Sequence, residues 1–246
     1  ILVVQFLTLG MECLRNVVLE ALEETMPCRG LYERSDSSSR KIEGLSDKVG
    51  WIRQDCSGET IVFENNIKYE IRFGEGQKTG FYLDQRENRM ALGTMGVQGD
   101  VLDAFCYTGS FGLHLAAAGC HVLGIDSQKE AIAQALINRQ LNKIDPSRLE
   151  FEEANVFDAL KGFEKEKRKF NLVILDPPSF TKRKEALEGA LSGTKEILLR
   201  SMKILHEDGL LAVFSCSYHL DDNLLMQAAM NAAWDVRKSL KVLRFF

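Results

Sequence analysis

The sequence predicts an α/β protein, with a parallel sheet covered by helices on both faces and a small α+β region ahead of it. Three observations point there. From about residue 81 onward, runs rich in Val, Ile and Leu alternate with segments of helical periodicity, the pattern of strands buried on both faces. Over about residues 1–78 the order is instead strand, helix, then strands. Between them lies Gly74–Gly80 (GEGQKTG), with three glycines in seven residues and no bulky apolar side chain, which reads as a linker. The expected domains are therefore 1–78 and 79–246.

In the first region Ile1–Phe6 is a candidate strand. Leu9–Thr25 places Met11, Leu14, Val17, Val18 and Leu22 at helical spacing, predicting one amphipathic helix. Gly30–Arg34 reads as a second strand and the Ser-rich Ser35–Ser46 as a loop. Thr60–Glu64 and Ile67–Phe73 form a hairpin around Asn65-Asn66, residues that tolerate the positive φ of a tight turn. In the second region the expected strands are Val101–Phe105, His121–Asp126, Leu149–Glu153, Leu172–Asp176 and Leu210–Ser215. The expected helices are Phe111–Ala118, Lys129–Asn142, Leu187–Leu205 and Asp222–Ala233. Lys161–Lys169 (KGFEKEKRK) reads as a solvated helix or loop, with an RNA-facing edge as the alternative.

Composition narrows the function classes. Hydrophobic residues make up 45% and charged residues 27%, an ordinary globular balance. A formal net charge of -4 argues against a generally basic nucleic-acid binder, so any RNA contact has to come from local patches. No apolar run reaches the roughly 18 residues of a membrane helix. The apolar start, Ile1–Phe6, is short and has no basic segment before it, so a cytoplasmic location is expected. Because the chain begins with Ile and stops at Phe246, it reads as a piece of a longer protein. The six cysteines include no C-x-x-C pair, so no metal site is expected, and most should be buried and reduced. The sequence is compatible with a homodimer but does not decide the oligomeric state.

Ligands of open α/β sheets bind beyond the carboxyl ends of the strands, and four such places carry unusual residues. After the first strand, Asp103-Ala-Phe-Cys-Tyr-Thr-Gly-Ser-Phe-Gly112 is a turn whose small residues admit a ligand close to the backbone, or simply a tight connection. Its spacing is not the G-x-G-x-x-G of dinucleotide enzymes. Asp126 ends the second strand, 23 residues past Asp103. It could accept hydrogen bonds from both hydroxyls of a ribose, or cap the next helix. Asn155 and Val156 follow the third strand and could meet an adenine edge and face. Finally, Asp176-Pro177-Pro178-Ser-Phe180 sets an acid before two prolines, whose stiffness would hold the carboxylate toward a flat polar target such as a base.

Together DAFCYTGSFG, GID, ANVF and DPPSF resemble class I methyltransferase motifs in their usual order. The lead-in Gly80-Phe-Tyr-Leu-Asp-Gln-Arg-Glu-Asn-Arg89 and the later Phe214-Ser-Cys-Ser217 narrow the resemblance to the large-subunit ribosomal RNA cytosine-5 methyltransferase family. The resemblance spans essentially the whole chain but lacks that family's amino-terminal PUA-like domain and its carboxyl-terminal strands. It implies a Rossmann-like class I methyltransferase sheet, S-adenosyl-L-methionine as cofactor, large-subunit ribosomal RNA as partner, and no membrane or metal. It also implies that the small α+β domain positions the RNA. By the same resemblance, Asp103, Tyr107, Thr108 and Gly109 of the second domain would surround the methionine end of the cofactor, Asp126 the ribose, and Asn155 and Val156 the adenine. Phe81, Asp84, Gln85 and Arg86 would close over the cofactor, and Asp176 and Pro177 would face the cofactor and the target base.

Carbon 5 of cytosine is a poor nucleophile. A thiolate that adds to carbon 6 pushes electron density onto carbon 5, which can then attack a sulfonium methyl group. With the resemblance in hand, Cys216 fits that role, since it follows the last expected strand on the same rim as Asp176. Cys106 lies in the cofactor turn and is expected to pack beneath it. Asp176 could share a proton with the cytosine ring nitrogen, which would need a raised carboxyl pKa. The base must leave its stack to reach the pocket, and Pro178, Phe180, Lys182, Arg183 and Lys184 are candidate RNA contacts. His219 on the same rim is a candidate base or simply exposed.

Three alternatives remain at this point. RNA guanine or adenine N-methylation would share the lead-in and the Asp-Pro-Pro motif but need no cysteine. A nicotinamide-dependent oxidoreductase is opposed by the missing phosphate fingerprint. A non-catalytic RNA-binding or ribosome-assembly protein would keep the fold alone.

Overall fold

The computed structural model describes residues 1–73, 81–179, 187–217 and 220–243. The expected linker, together with Phe180, Lys182, Arg183, Lys184 and His219, lies outside the described residues. The chain divides into two compact units: residues 1–62 with 69–83, and residues 63–68 with 84–246.

The first unit holds β1 (Leu2–Val4), α1 (Leu9–Cys13), α2 (Arg15–Thr25), β2 (Gly30–Ser35), α3 (Ser38–Ile42) and β3 (Lys48–Gln54). β2 is the centre of a three-stranded sheet, parallel to β1 and antiparallel to β3. Two expectations fail here. The single helix over Leu9–Thr25 is two helices, because the chain breaks its regular course at Leu14. The Ser-rich loop contains α3, which Ser37 caps by accepting from the Ser39 N–H at 3.4 Å. What draws α3 inward is Arg40, which is fully buried and donates to the carbonyls of Phe6 and Ser46 and to Glu12. A buried arginine reads as polar loop in a hydropathy pattern, which is why the element stayed hidden. β3 was not foreseen at all.

β4 (Glu59–Glu64) and β5 (Ile67–Arg72) form the expected hairpin. Asn65 and Asn66 at its turn have φ of 48° and 72°, the two consecutive left-handed residues such a turn requires.

The second unit continues with a 3-10 turn (Leu83–Gln85), α4 (Arg86–Thr94), β6 (Asp100–Ala104), α5 (Ser110–Ala117), β7 (His121–Asp126), α6 (Lys129–Leu141), β8 (Leu149–Glu153), α7 (Val156–Glu166), β9 (Phe170–Leu175), α8 (Leu187–Ile204), β10 (Leu205–Val213) and α9 (Asp222–Asp235). The five strands are parallel in the order β10-β9-β6-β7-β8. This is the mixed α/β architecture expected, a parallel five-stranded sheet flanked by helices. α4 was not foreseen, and α7 was foreseen only as the helix option for Lys161–Lys169. The amino-terminal half of the Lys161–Lys169 run is the last part of α7, whose Phe163 packs into the core.

Side chains alternate across each strand, so each strand serves two cores. Leu102, Ala104, Leu123, Ile125, Val173 and Leu175 face α7, α8 and α9 through Leu160, Ile197, Leu198 and Ala232. On the other face α5 lies so close that a Cβ on Gly112 would meet Leu149, Asp103 and Val122 within 3.1–3.4 Å. The chain enters this sheet at its centre in β6, runs outward through β7 and β8, then crosses to β9 and β10. The switch in direction falls between β6 and β9, and beyond the carboxyl ends at such a switch is where an open parallel sheet forms its ligand crevice.

The cysteine expectation is corrected. All six thiols are free, but only Cys106 and Cys120 are buried, while Cys13 and Cys216 are exposed and Cys28 and Cys56 lie between. The exposed ones sit on a helix end and a loop, where no apolar layer covers them. Among the described residues no helix is long and apolar enough to cross a membrane. Nor does any group of three or more His, Cys, Asp or Glu among them form a metal-binding set.

Candidate active site

The crevice at the strand switch is built first by the turn between β6 and α5. Its backbone is strained: Phe105 and Tyr107 have φ of 64° and 50°, and Gly109 follows at 79°. Such residues cost roughly 1–3 kcal/mol each and persist only where their surroundings hold them. Here every neighbouring element does so. The Cys106 N–H donates to Ile125 O at 2.9 Å, and the Tyr107 N–H donates to Asp126 Oδ2 at 2.9 Å. The Asn138 side chain donates to Thr108 O at 3.2 Å, and the Gly112 N–H donates to Asp103 Oδ2 at 2.9 Å. At Gly109 a Cβ would lie 2.4 Å from the Phe151 ring, so both the φ and the space demand glycine.

Asp103 is completely buried at the end of β6, and its second oxygen, Oδ1, has no hydrogen-bond partner among the described residues. Burial, reinforced by the charges of Asp176 and Asp126, pushes its carboxyl up to about 7. Asp126, at the end of β7, is also buried. One oxygen holds the Tyr107 N–H and the other accepts from the Gln128 N–H at 2.9 Å, so this carboxylate shapes both the turn and the entry to α6. Asn155 is exposed, and its side-chain oxygen caps α7 by accepting from Phe157 and Asp158 N–H groups at 2.9 and 3.3 Å. The Val156 side chain belongs to the core on the α7 side.

The second wall joins the loops after β9 and β10. Asp176 is half-buried, Pro177 buried and Pro178 exposed. The Phe214 N–H donates to Leu175 O at 2.8 Å, and the Ser179 and Ser217 hydroxyls lie 2.9 Å apart. Between these ties the exposed Cys216 Sγ lies 3.9 Å from Pro177 O. The Phe214 ring stacks on Phe111 of α5 at 5.0 Å, which connects this wall to the first. Cys106 is different. Burial, then Asp103 and Asp126, raise its thiol pKa well above the ordinary value, so it stays a protonated packing group beneath the turn.

Of the lead-in residues, Asp84 and Arg86 are exposed and Gln85 is half-buried, its side-chain oxygen accepting from Asn88 at 2.6 Å. Phe81 is buried in the first unit against Tyr69, ring centroids 4.7 Å apart.

Sequence reasoning missed the polar residues that brace this site from behind. Asn138 is buried on the apolar face of α6 with Ala131, Ile132 and Ala135, and a polar residue at that spacing was the available signal. Glu64, Arg89 and His114 form a buried cluster. Arg89 donates to both Glu64 oxygens at 2.7 Å, and His114 Nε2 lies 3.1 Å from Glu64 Oε1. Burial alone would raise the Glu64 carboxyl, but the bonds from Arg89 and His114 outweigh it and hold it at about 2.

Residues 45–237 match the family described as S-adenosylmethionine-dependent methyltransferase. The chain belongs to that family. It is 37% identical over 245 residues to a ribosomal RNA large subunit methyltransferase I of Pseudoalteromonas atlantica, covering 99% of this chain and 62% of the relative. To the protein of the same name in Aliivibrio fischeri it is 38% identical over 246 residues, with 99% and 62% coverage. The chain thus spans less than two thirds of the length of these relatives. Its fold is similar to a putative SAM-dependent methyltransferase from Streptococcus mutans, with TM-score 0.76 and 22% identity over 94% of this chain and 59% of that one. It is also similar to a SAM-dependent methyltransferase from Agrobacterium tumefaciens, with TM-score 0.67 and 17% identity over 89% and 67%. The family assignment removes the nicotinamide reading and makes S-adenosylmethionine the cofactor to fit to the crevice.

Proposed function

We propose that the chain forms 5-methylcytosine in large-subunit ribosomal RNA, with S-adenosylmethionine as methyl donor and Cys216 as nucleophile. The observation that carries this reading is the position of Cys216. Its thiol is exposed at the carboxyl edge of the sheet, beside the Asp-Pro-Pro segment, and the only other cysteine of the crevice is buried and protonated.

The residues present fit the cofactor. Asp103 Oδ1 is a buried acceptor without a donor among the described residues, suited to an ammonium group such as that of the methionine moiety. Asp126 retains acceptor capacity for ribose hydroxyls beyond its two backbone bonds, since each carboxylate oxygen offers more than one lone pair. Because the Asn155 oxygen is engaged in its cap and Val156 packs inward, an adenine contact here would use the Asn155 amide nitrogen or the local backbone.

When bound, S-adenosylmethionine supplies a methyl group on a positively charged sulfur. Cys216 acts as the thiolate, forming an S–C6 bond to cytosine and delivering an electron pair to C5. C5, made electron-rich in this way, would be the atom that accepts the methyl group the cofactor supplies. Transfer of the C5 proton to a base, such as solvent water, then reforms the C5–C6 double bond, breaks the S–C6 bond and restores the thiolate. Asp176 faces the base and shares a proton at the ring nitrogen during addition, which favours negative charge entering the ring. Pro177 and Pro178 keep that carboxylate in place, and Phe180 with Lys182, Arg183 and Lys184 would contact RNA around the flipped base. The first unit serves to position the RNA.

The test is methyl transfer from labelled S-adenosylmethionine to large-subunit ribosomal RNA, followed by nucleoside analysis. The reading expects labelled 5-methylcytidine. Label in N-methylguanosine or N-methyladenosine would replace it with the N-methylation alternative, and absence of label would favour a binding protein.

A further inference from the structure

The buried Glu64 cluster lies outside the crevice, yet it reaches both segments expected to hold the cofactor. Glu64 ends β4 at the hairpin tip, within the second unit. Its Oε1 and Oε2 each accept from Arg89 at 2.7 Å, and Oε1 also meets His114. Arg89 lies one turn into α4, a helix that begins at Arg86 directly after Asp84 and Gln85. His114 lies one turn into α5, a helix that begins directly after Tyr107–Gly109. One carboxylate therefore bridges the two helices whose amino-terminal ends carry the lead-in segment and the cofactor turn. The same hairpin tip is tied to a third helix. The Asn142 side chain accepts from the Lys68 N–H at 2.8 Å and donates to Lys68 O at 2.7 Å, copying the pairing of a neighbouring strand. Asn142 follows α6, whose Asn138 holds Thr108 O.

We infer that Glu64 is a positioning residue for cofactor binding, setting the placement of Asp84–Arg86 relative to Tyr107–Gly109 through Arg89 and His114. The inference rests on the cofactor reading above. A hydrophobic contact could pack α4 on α5, but it would not fix their register. A bidentate arginine–carboxylate pair fixes direction as well as distance, and burial at 2–3% exposure keeps water from substituting for either partner. The strained turn needs such fixing, because two of its left-handed residues are not glycine.

The test is Glu64→Gln, which keeps the shape and loses the charge, studied by calorimetric titration with S-adenosylhomocysteine and by amide hydrogen exchange. The expected result is affinity weakened about 10-fold or more. Exchange at Tyr107, Gly112 and residues 83–88 should also quicken in the unliganded chain. Leu198→Ala, which removes packing from the opposite face of the sheet, measures what destabilisation alone does and should leave the affinity unchanged. If Glu64→Gln does not fold, Arg89→Lys, which keeps the charge but not the two-pronged geometry, takes its place under the same criteria. Affinity and exchange equal to the parent chain, or equal losses in Leu198→Ala, would overturn the inference. A parent chain that binds no S-adenosylhomocysteine would sink the cofactor reading, while the exchange data would still decide whether Glu64 holds the two segments.

Discussion

Cys216 Sγ lies 3.9 Å from the carbonyl oxygen of Pro177, joining the loops that follow two neighbouring strands of the parallel sheet. The contact is long and weak, so it contributes little to the stability of the fold. Replacing the thiol should therefore separate chemistry from binding. Cys216→Ala is expected to abolish 5-methylcytidine formation while S-adenosylhomocysteine affinity stays within about two-fold, since an exposed side chain contributes little elsewhere. Loss of both together would mean the residue is a packing element.

The cysteines should also differ in reactivity. Alkylation of the native chain followed by peptide mass analysis should label Cys13 and Cys216 first and leave Cys106 and Cys120 until unfolding, because burial raises the thiol pKa of both. Early labelling of Cys106 would show that the turn opens.

Asp103 gives the second unit a pH dependence. Its folded pKa, raised to about 7 chiefly by burial, exceeds the roughly 3.9 of an unfolded aspartate. The unfolded chain therefore ionises first as pH rises. Its contribution to stability is fully present below about pH 4, falls between there and about 7, and levels off above. Thermal unfolding of Asp103→Asn across this range should lack that slope, since an amide oxygen can still accept from Gly112.

Cofactor binding should show the converse. An ammonium group beside Asp103 Oδ1 favours the ionised carboxylate, so S-adenosylhomocysteine affinity is expected to rise from pH 6 to 8 with release of about one proton. Titrations in buffers of different ionisation enthalpy would measure it, and Asp103→Asn should flatten the profile.

Two glycine substitutions should move stability in opposite directions. Gly109→Ala forces a side chain into the left-handed region and into the Phe151 ring, and is expected to cost about 1–3 kcal/mol together with cofactor affinity. Gly162→Ala, inside α7 with open space around it, should stabilise by about 0.5–1 kcal/mol. Denaturant titration of both reads the difference directly.

The parts of this molecule that the sequence displayed are those written in local periodicity. The strands His121–Asp126 and Leu149–Glu153 stand where Val, Leu and Phe alternation put them, and the Asn65-Asn66 turn where its residue type required it. The strand ends likewise singled out Asp103, Asp126, Asp176 and Cys216 as candidates, because ligands of an open parallel sheet bind beyond those ends. What stayed hidden depends on partners far away in sequence. Arg40 turns a polar loop into a helix by finding carbonyls at Phe6 and Ser46. Glu64 and Arg89 are 25 residues apart, and each looks like ordinary surface charge until the other is placed beside it. Asn155 was read for ligand binding, yet its side-chain oxygen is spent on a helix cap, a local competition that sequence alone leaves open.

The proposed reaction requires the thiol at 216 to bond to cytosine during transfer. Ribosomal RNA carrying 5-fluorocytidine decides this, because fluorine replaces the proton whose loss would let the S–C6 bond break. Incubation with S-adenosylmethionine should yield a covalent protein–RNA adduct whose peptide mass places it on Cys216, and Cys216→Ala should give none. Methylated RNA released without any adduct, or an adduct on Cys106, would contradict the assignment.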